Sequence, residues 1–471
     1  MRVWALNPPA DHGVKQVREG RCMQRGGAWT TIWTPLSMAY CASMARAEGH
    51  EAFLNDCIVE DLDFVDVTRR AAELKPDLVV MNAVTPSFDS DLTTVEAVKN
   101  GWPGAFVAVI GIHATAIPKD AFDRAKRLDA VIRGEPELTV KELLKAFSDK
   151  TPIEGIPGLA LMRNGEIMLT PERVPVENLD ELPWPAYDLI QHRLYLMPYT
   201  GNPFLLVATG RGCPHPCVFC ADHTYYGKKL RLRTPKALVD ELEYYGKQFG
   251  IREFLFWSEG FTLSPPRAKA VAREIIARGL DIEWVCNSRV DDVDPELLGL
   301  FKQAGCKIIG FGVESGVQDM LDAMKKGTTV EQIRQAISWA KDAGLETAAH
   351  CMLGFPGETR ETIGKTVEFV RSLRLDFAQF YCAVPFPGCD LYDWAQEEGW
   401  IATDDYRKYE QNQSALNVPG LSSEDVEAAR SKAYRKFYLR PSMIGNHLGR
   451  LTSLRTAKVF GRMVKEFVSW V

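Results

Sequence analysis

Arg211-Gly-Cys-Pro-His-Pro-Cys-Val-Phe-Cys220 places Cys213, Cys217 and Cys220 in a C-x3-C-x2-C spacing on a loop rich in glycine and proline. Soft thiolate ligands select zinc, copper(I) or an iron–sulfur cluster. A structural zinc takes four ligands, and His215 or His223 stands near enough in sequence to be the fourth. A [4Fe–4S] cluster usually takes four cysteines. Held by three, it leaves one iron open to an exogenous ligand, as a catalyst requires. Both readings stay open on these residues alone; three unrelated core cysteines do not belong in such a loop.

The loop follows the first strand of a βα series. Apolar runs at 205–208, Glu253–Trp257, 282–286, 307–311, Glu346–Leu353 and 377–384 alternate with helical patterns. Several of these patterns open on proline (Pro235, Pro265, Pro295), as a first helical turn favours. Six units predict a (β/α)6 partial barrel rather than the closed eightfold one. Upstream, Arg2–Asn7, 51–58, Leu78–Asn82, 105–110 and Ala130–Ile132 read as short buried strands between helical runs such as 36–48. That alternation predicts a doubly wound, Rossmann-like α/β domain. Ligands meet such sheets at the carboxyl ends of the strands. There the chain carries Asn7-Pro-Pro9, Val84-Thr-Pro-Ser87, Gly111-Ile-His-Ala-Thr115 and Arg133-Gly-Glu-Pro-Glu137. Residues 151–197 are rich in proline and turn signals, with a hairpin expected at Arg163-Asn-Gly165. Beyond about Trp400 the strand pattern is lost and the chain reads as helical. The expected division is a first domain over 1–146, a linker over 147–197, a barrel over 198–400 and a helical region over 401–471.

The 471 residues are 46% hydrophobic and 25% charged, values that exclude disorder and fibres. No apolar stretch approaches the roughly 18 residues of a membrane-spanning helix. The start lacks a signal peptide's apolar region, so a cytoplasmic location is expected. Eleven cysteines, an odd number in a chain this long, fit a reducing compartment with most of them as buried apolar side chains. A net charge of −6 argues against general nucleic-acid binding. From Arg430 onward, however, ten Lys/Arg face a single acid, Glu466. Ile444, Leu448, Leu451, Leu454, Val459, Met463, Val464 and Phe467 recur three and four apart among them, an amphipathic basic helix. It either closes the barrel or lies on anionic lipid at the inner membrane face, with Trp470 at the interface.

C-x3-C-x2-C with Phe219 before the third cysteine, after the first strand of a six-unit barrel, resembles the radical S-adenosylmethionine (SAM) superfamily. Gly111–Thr115, Arg133–Glu137, the stretch 180–187 and Pro385-Phe-Pro-Gly-Cys389 resemble the subfamily with a cobalamin-binding domain ahead of the barrel. The resemblance runs from Met1 to about Arg440. It departs in three places. Ser258-Glu-Gly260 replaces the usual Gly-Gly-Glu, Cys389 stands where threonine is usual, and the cobalamin signature D-x-H-x-x-G is absent, since neither His12 nor His113 fits it.

The resemblance implies a [4Fe–4S] cluster on Cys213, Cys217 and Cys220, with SAM and cobalamin as further cofactors. It implies Glu259 at the SAM amine, Asn287 and Arg289 at its ribose or carboxylate, and Glu314 as a second polar contact. Gly354 would let backbone approach the adenine, and Thr85, Ser87, Gly111 and His113 would neighbour the corrin. Family chemistry runs through a 5′-deoxyadenosyl radical. The leading expectation is methyl transfer to an unactivated carbon of a hydrophobic lipid, isoprenoid or tetrapyrrole, with flavodoxin or ferredoxin as electron donor. The same architecture also performs oxidative cyclisation and skeletal rearrangement. A cluster- and corrin-binding sensor without turnover is the expectation from another class. Tyr381, with Tyr199, Tyr225, Tyr226 and Cys382, is expected to line the substrate space, and Cys389 to donate a hydrogen atom.

Overall fold

The computed structural model describes residues 1–11, 13–19, 31–448 and 461. The first sheet comprises β1 (Arg2–Asn7), β2 (Glu51–Asp56), β3 (Leu78–Asn82), β4 (Phe106–Ile110), β5 (Ala130–Ile132), β6 (Leu159–Arg163) and β7 (Glu166–Leu169). Its order is β2-β1-β3-β4-β5-β6-β7, with β1 to β5 parallel and β6 and β7 antiparallel. The parallel strands are short apolar runs with no polar face, so both faces must be covered. Successive residues point to opposite faces. Trp4, Leu6, Val79, Met81, Val107 and Val109 pack with the helices Phe64–Leu74 and Phe88–Gly101. Val3, Ala5, Val80, Ala108 and Ile110 pack with Leu36–Ala47 and Glu137–Asp149, in a core that continues into the barrel. Asn164 and Gly165, at φ 52° and 83°, make the expected hairpin turn between β6 and β7. The first sheet therefore extends to Leu169.

The barrel comprises β8 (Phe204–Ala208), then a two-residue ribbon of β9 (Gly210–Arg211) and β10 (Arg231–Leu232), then β11 (Glu253–Trp257), β12 (Glu283–Ser288), β13 (Cys306–Glu314), β14 (Glu346–Leu353) and β15 (Phe377–Cys382). Its six long strands are parallel and in sequential order, leaving β8 and β15 as edges. An open edge exposes unpaired backbone, and side chains seal both. On β8, the Leu206 amide donates to Thr34 Oγ1 (3.0 Å) and its carbonyl accepts from the Tyr187 hydroxyl (2.7 Å). On β15, Tyr434 and Tyr438 accept from the amides of Phe380 (3.2 Å) and Ala378 (3.0 Å), and Arg430 Nε donates to the Phe380 carbonyl (2.9 Å). Residues 430, 434 and 438 are spaced four apart, so one face of the helix Ser423–Tyr438 does this work.

The expectation of helix from residue 401 needs correction. Up to Leu421 the chain is irregular, with antiparallel bridges Ile401–Leu416 and Val418–Leu421, and helix starts at Ser423 behind a Ser422/Asp425 capping box. Asn412, Asn417, Pro419 and Gly420 supply turn chemistry and no 3.6-residue apolar period. Most of the amphipathic basic helix expected beyond Leu448 lies outside the described residues. No helix among the described residues is long and apolar enough to cross a membrane.

Candidate active site

The β9–β10 ribbon closes the base of the cysteine loop. Gly212 sits there at φ 80°, and a Cβ would lie 2.2 Å from the Lys229 carbonyl, so no larger residue fits. Arg211 ties the loop to the first sheet: its Nη2 lies 2.6 Å from Glu137 Oε1 and its Nη1 3.1 Å from Glu135 Oε2. Arg231 shares Glu135 at 2.5 Å. All four side chains are buried. Burial opposes the Arg211 charge, but Glu137 and Glu135 outweigh it and hold the guanidinium well above its usual pKa. The stretch Arg133–Glu137, expected as a ligand-side loop, thus fastens the cysteine loop to the first domain.

Of the ten described cysteines, only Cys213, Cys217 and Cys220 are half-exposed; the rest are buried. Burial pushes the thiols of Cys382 and Cys389 up to about 12 and those of Cys41, Cys57, Cys306 and Cys351 well above the ordinary range. The loop cysteines are therefore the accessible thiolate donors. Cys220 Sγ lies 3.3 Å from Asp222 Oδ2. The His223 ring is 2.8 Å from the Cys213 carbonyl, bracing the loop. His215 is half-buried, which lowers its pKa.

Above the barrel lies a cavity of about 1010 Å³, mouth included. Cys220, Glu259, Asn287, Arg289, Glu314 and Tyr381 all line it, and Ile112 enters from the first sheet. Each sits at or just beyond a strand's carboxyl end, or points inward from the strand. Glu314 is aimed by a bulge, where two residues of β13 face one of β14, and it takes the left-handed φ of 57°. Its Oε1 accepts from Lys326 Nζ at 2.7 Å. A Cβ on Gly312 would lie 2.6 Å from that Nζ, so the glycine makes room for the pair. Arg289 is held by Asp291 through Nε (2.9 Å) and Nη2 (2.8 Å). Lower down, His350 Nε2 lies 3.2 Å from Asn287 Oδ1 and its Nδ1 3.3 Å from the Tyr381 hydroxyl.

Other expected residues lie elsewhere. A Cβ on Gly354 (φ 83°) would meet Val426 at 2.7 Å, so this glycine admits the sealing helix, and it does not line the cavity. Cys389 is 1% exposed, at the start of the helix Asp390–Glu397, and does not line the cavity either. Thr85 and Ser87 are buried, and Ser87 donates to Asp91 Oδ2 at 2.8 Å. His113 stacks on Phe88 with ring centroids 3.8 Å apart, and its Nε2 lies 3.2 Å from Asp120. Burial lowers its pKa. Gly111, at φ 135°, passes so close to β3 that a Cβ would lie 2.2 Å from the Ala83 carbonyl. Tyr381 and Cys382 line the cavity, while Tyr199, Tyr225 and Tyr226 do not. Among the polar cavity residues, Ser288, Lys326, His350 and Gln411 escaped the sequence reading. A lysine in a loop and a histidine in a strand carry no local signal of which way they face.

The radical SAM superfamily model matches residues 207–370, and the B12 binding domain model matches residues 27–144. An uncharacterized methyltransferase of Pyrococcus horikoshii is 35% identical over 444 residues, covering 94% of this chain and 94% of that one. The chain belongs to the cobalamin-binding radical SAM family. The anaerobic magnesium-protoporphyrin IX monomethyl ester cyclase of Rubrivivax gelatinosus is 28% identical over 421 residues, 88% of this chain and 75% of the cyclase. Among solved structures, the radical SAM methyltransferase TsrM of Kitasatospora setae, with cobalamin and a [4Fe–4S] cluster bound, superposes with a TM-score of 0.72. It is 19% identical and aligns over 94% of this chain and 89% of its own, a likeness of fold.

Membership makes the protein an enzyme of the radical SAM methyltransferase family that works on a small molecule with a [4Fe–4S] cluster, SAM and cobalamin. The donors present fit those groups. Three accessible thiols suit a cluster with one open iron. The acids and bases around the cavity suit the amine, carboxylate and ribose of SAM. A polar crevice of about 1350 Å³, mouth included, opens between the domains beside the cysteine loop, lined by Thr115, Arg133, Gly134, His223 and Thr224, and suits the amide-rich rim of a corrin.

Proposed function

We propose that the enzyme methylates an unactivated carbon of a hydrophobic small molecule. The observation that carries this reading is a single cavity walled by both domains. Ile112 from the first sheet faces Cys220 and the polar strand ends, while Phe219, Met352, Val384 and Phe386 supply apolar wall. In this reading Cys213, Cys217 and Cys220 hold the cluster. Glu259 takes the SAM amine, Asn287 and Arg289 its ribose and carboxylate, and Glu314 with Lys326 a further polar contact. Ile112 and the interdomain crevice would carry the corrin, while His113 stays held by Phe88 and Asp120.

When bound, SAM on the reduced cluster supplies a carbon-centred radical, and cobalamin supplies a methyl group. This chain's own residues orient and enclose. Asp291 fixes the Arg289 guanidinium, Lys326 fixes the Glu314 carboxylate, and the apolar wall excludes water from the reacting carbon. Tyr381 and Cys382 face the substrate from β15. The chain's domain division follows the same reading: a cobalamin domain over 1–146 whose sheet is completed by β6 and β7 of the 147–197 stretch, the radical SAM core over 198–400 and a sealing region from 401.

An acidic one-electron carrier of the flavodoxin or ferredoxin class would reduce the cluster. Contact with a membrane surface would draw on basic residues other than Arg430, which is spent on β15, and Arg440, which donates to the carbonyls of Arg371 and Phe437. The test is anaerobic reconstitution with SAM labelled in its methyl group and a strong reductant, alongside lipid and pigment extracts from a deletion strain. The expected result is 5′-deoxyadenosine and one labelled methyl on a hydrophobic compound that accumulates unmethylated in the deletion. A product that loses hydrogen instead would identify a cyclase, and absence of 5′-deoxyadenosine would overturn the radical reading.

A further inference from the structure

The barrel interior holds a second cavity, toward the amino ends of the strands, of about 880 Å³ with its mouth. Phe204, Leu255, Val285, Ile308, Ala348 and Phe377 line it from the six strands. Trp33, Met197 and Tyr199, from the segments that lead into the barrel, close one side, and no charged side chain among the described residues reaches it. A closed βα barrel fills this space with layers of branched side chains. Here Gly310 and Ala348 occupy inward positions, and the layer has a gap.

What separates this chamber from the cavity above is a row of polar side chains. Asn287, His350 and Tyr381 line both spaces. The Asn287–His350 and His350–Tyr381 contacts described above are continued by the Tyr381 hydroxyl, which donates to Gln379 Oε1. Gly310 is required by the row, since a Cβ there would lie 2.5 Å from Asn287 Oδ1 and 2.7 Å from His350 Nε2. A hydrogen-bonded row of this kind exchanges partners without opening packed apolar surface, unlike the layers around it.

We propose that the lower chamber is a second binding site, for the unfunctionalised hydrocarbon arm of the substrate whose reacting carbon sits in the cavity above. The arm passes at the Asn287–His350–Tyr381 row. This rests on the hydrophobic substrate of the proposed function and specifies its shape: a head at the radical site and a slender apolar chain. Apart from the polar row with Gln379, and Thr31, the lining is apolar or aromatic, and a hydrocarbon chain is the chemistry that matches such a surface.

Diphenylhexatriene, a neutral rod whose fluorescence rises in apolar surroundings, serves as the probe on reconstituted full-length enzyme, with 1-dodecanol as competitor. The expected result is saturable binding of one probe per chain, displaced by dodecanol, and weakened about tenfold or more by Ala348→Trp, which fills the chamber. Ile308→Phe, on the neighbouring strand, repeats the comparison should Ala348→Trp not fold, with circular dichroism checking both. Binding that is not saturable, or is unchanged in the folded variants, overturns the proposal. SAM cleavage by the wild-type preparation separates the two readings. Cleavage without probe binding overturns the chamber alone, whereas chamber-dependent probe binding without cleavage overturns the radical function and leaves the site standing.

Discussion

At the carboxyl end of the barrel, Glu259, Asn287, Arg289, Glu314 and Lys326 stand around a cavity. At the carboxyl end of the first sheet, the polar side chains turn on one another. Arg18 pairs with Asp91, which also accepts from Ser87 and the Val84 amide, and His113 pairs with Asp120, which accepts from Tyr406 as well. Asn82 donates to the Arg18 carbonyl and Arg18 to the Pro9 carbonyl, so this network ties the ends of β1 and β3 together. The two sheets present strand ends to the same interdomain space with opposite chemistry. One lines an open cavity with charged and polar side chains, and the other turns most of its polar side chains on one another, leaving buried atoms such as Asn7 Oδ1 and His113 Nδ1 without a hydrogen-bond partner. A polar residue at a strand end marks where a ligand can lie; it does not establish that the residue touches it.

Substitutions at the two ends should separate accordingly. The largest effect is expected at the cysteine loop. Cys217→Ala should abolish the broad visible absorbance of the reconstituted cluster and all SAM cleavage, because two thiolates hold a cluster poorly. Retained iron at the wild-type ratio would show that Cys217 is no ligand.

The next effect belongs to the first sheet and is one of stability. Arg18→Met leaves Asp91 buried without its cation, a change that costs about 3–5 kcal/mol. Burial already raises the Asp91 pKa, with Arg18 pulling it back. Chemical denaturation should show the loss in the midpoint, and a variant as stable as wild type would mean that the network does not hold the sheet.

The smallest free-energy change should carry the more specific readout. Lys326→Met removes the partner of Glu314 at the cavity wall, and should weaken SAM binding about tenfold, or ~1.4 kcal/mol, with a smaller change in unfolding than Arg18→Met. Titration calorimetry with SAM checks it. An unfolding shift as large as that of Arg18→Met, with SAM affinity intact, would erase the contrast between the two ends.

Strand runs were legible because each has a mostly apolar stretch bounded by glycine, proline or polar turns; Arg2–Asn7, Leu78–Asn82, Ala130–Ile132, Glu253–Trp257 and Glu346–Leu353 form as read. The C-x3-C-x2-C loop was legible because its three cysteines lie within eight residues of chain. Glu259, Asn287, Arg289 and Glu314 were placed by the family resemblance, which sets them at successive strand ends, and a parallel barrel puts those ends on one rim. Lys326 and His350 were not, since their meaning lies in Glu314 and Asn287, which are distant in sequence.

The sequence by itself determined the two sheets, the family and the cluster loop, because apolar periodicity and ligand spacing are local properties. Only the tertiary structure decided which polar groups remain available. Gly354 gives room to Val426, Cys389 is buried beside the barrel, Glu135 and Glu137 anchor Arg211, and Arg430 seals β15. Each of these depends on a partner tens to hundreds of residues away. A buried polar group binds whichever partner the packed chain brings nearest, and no local pattern carries that information.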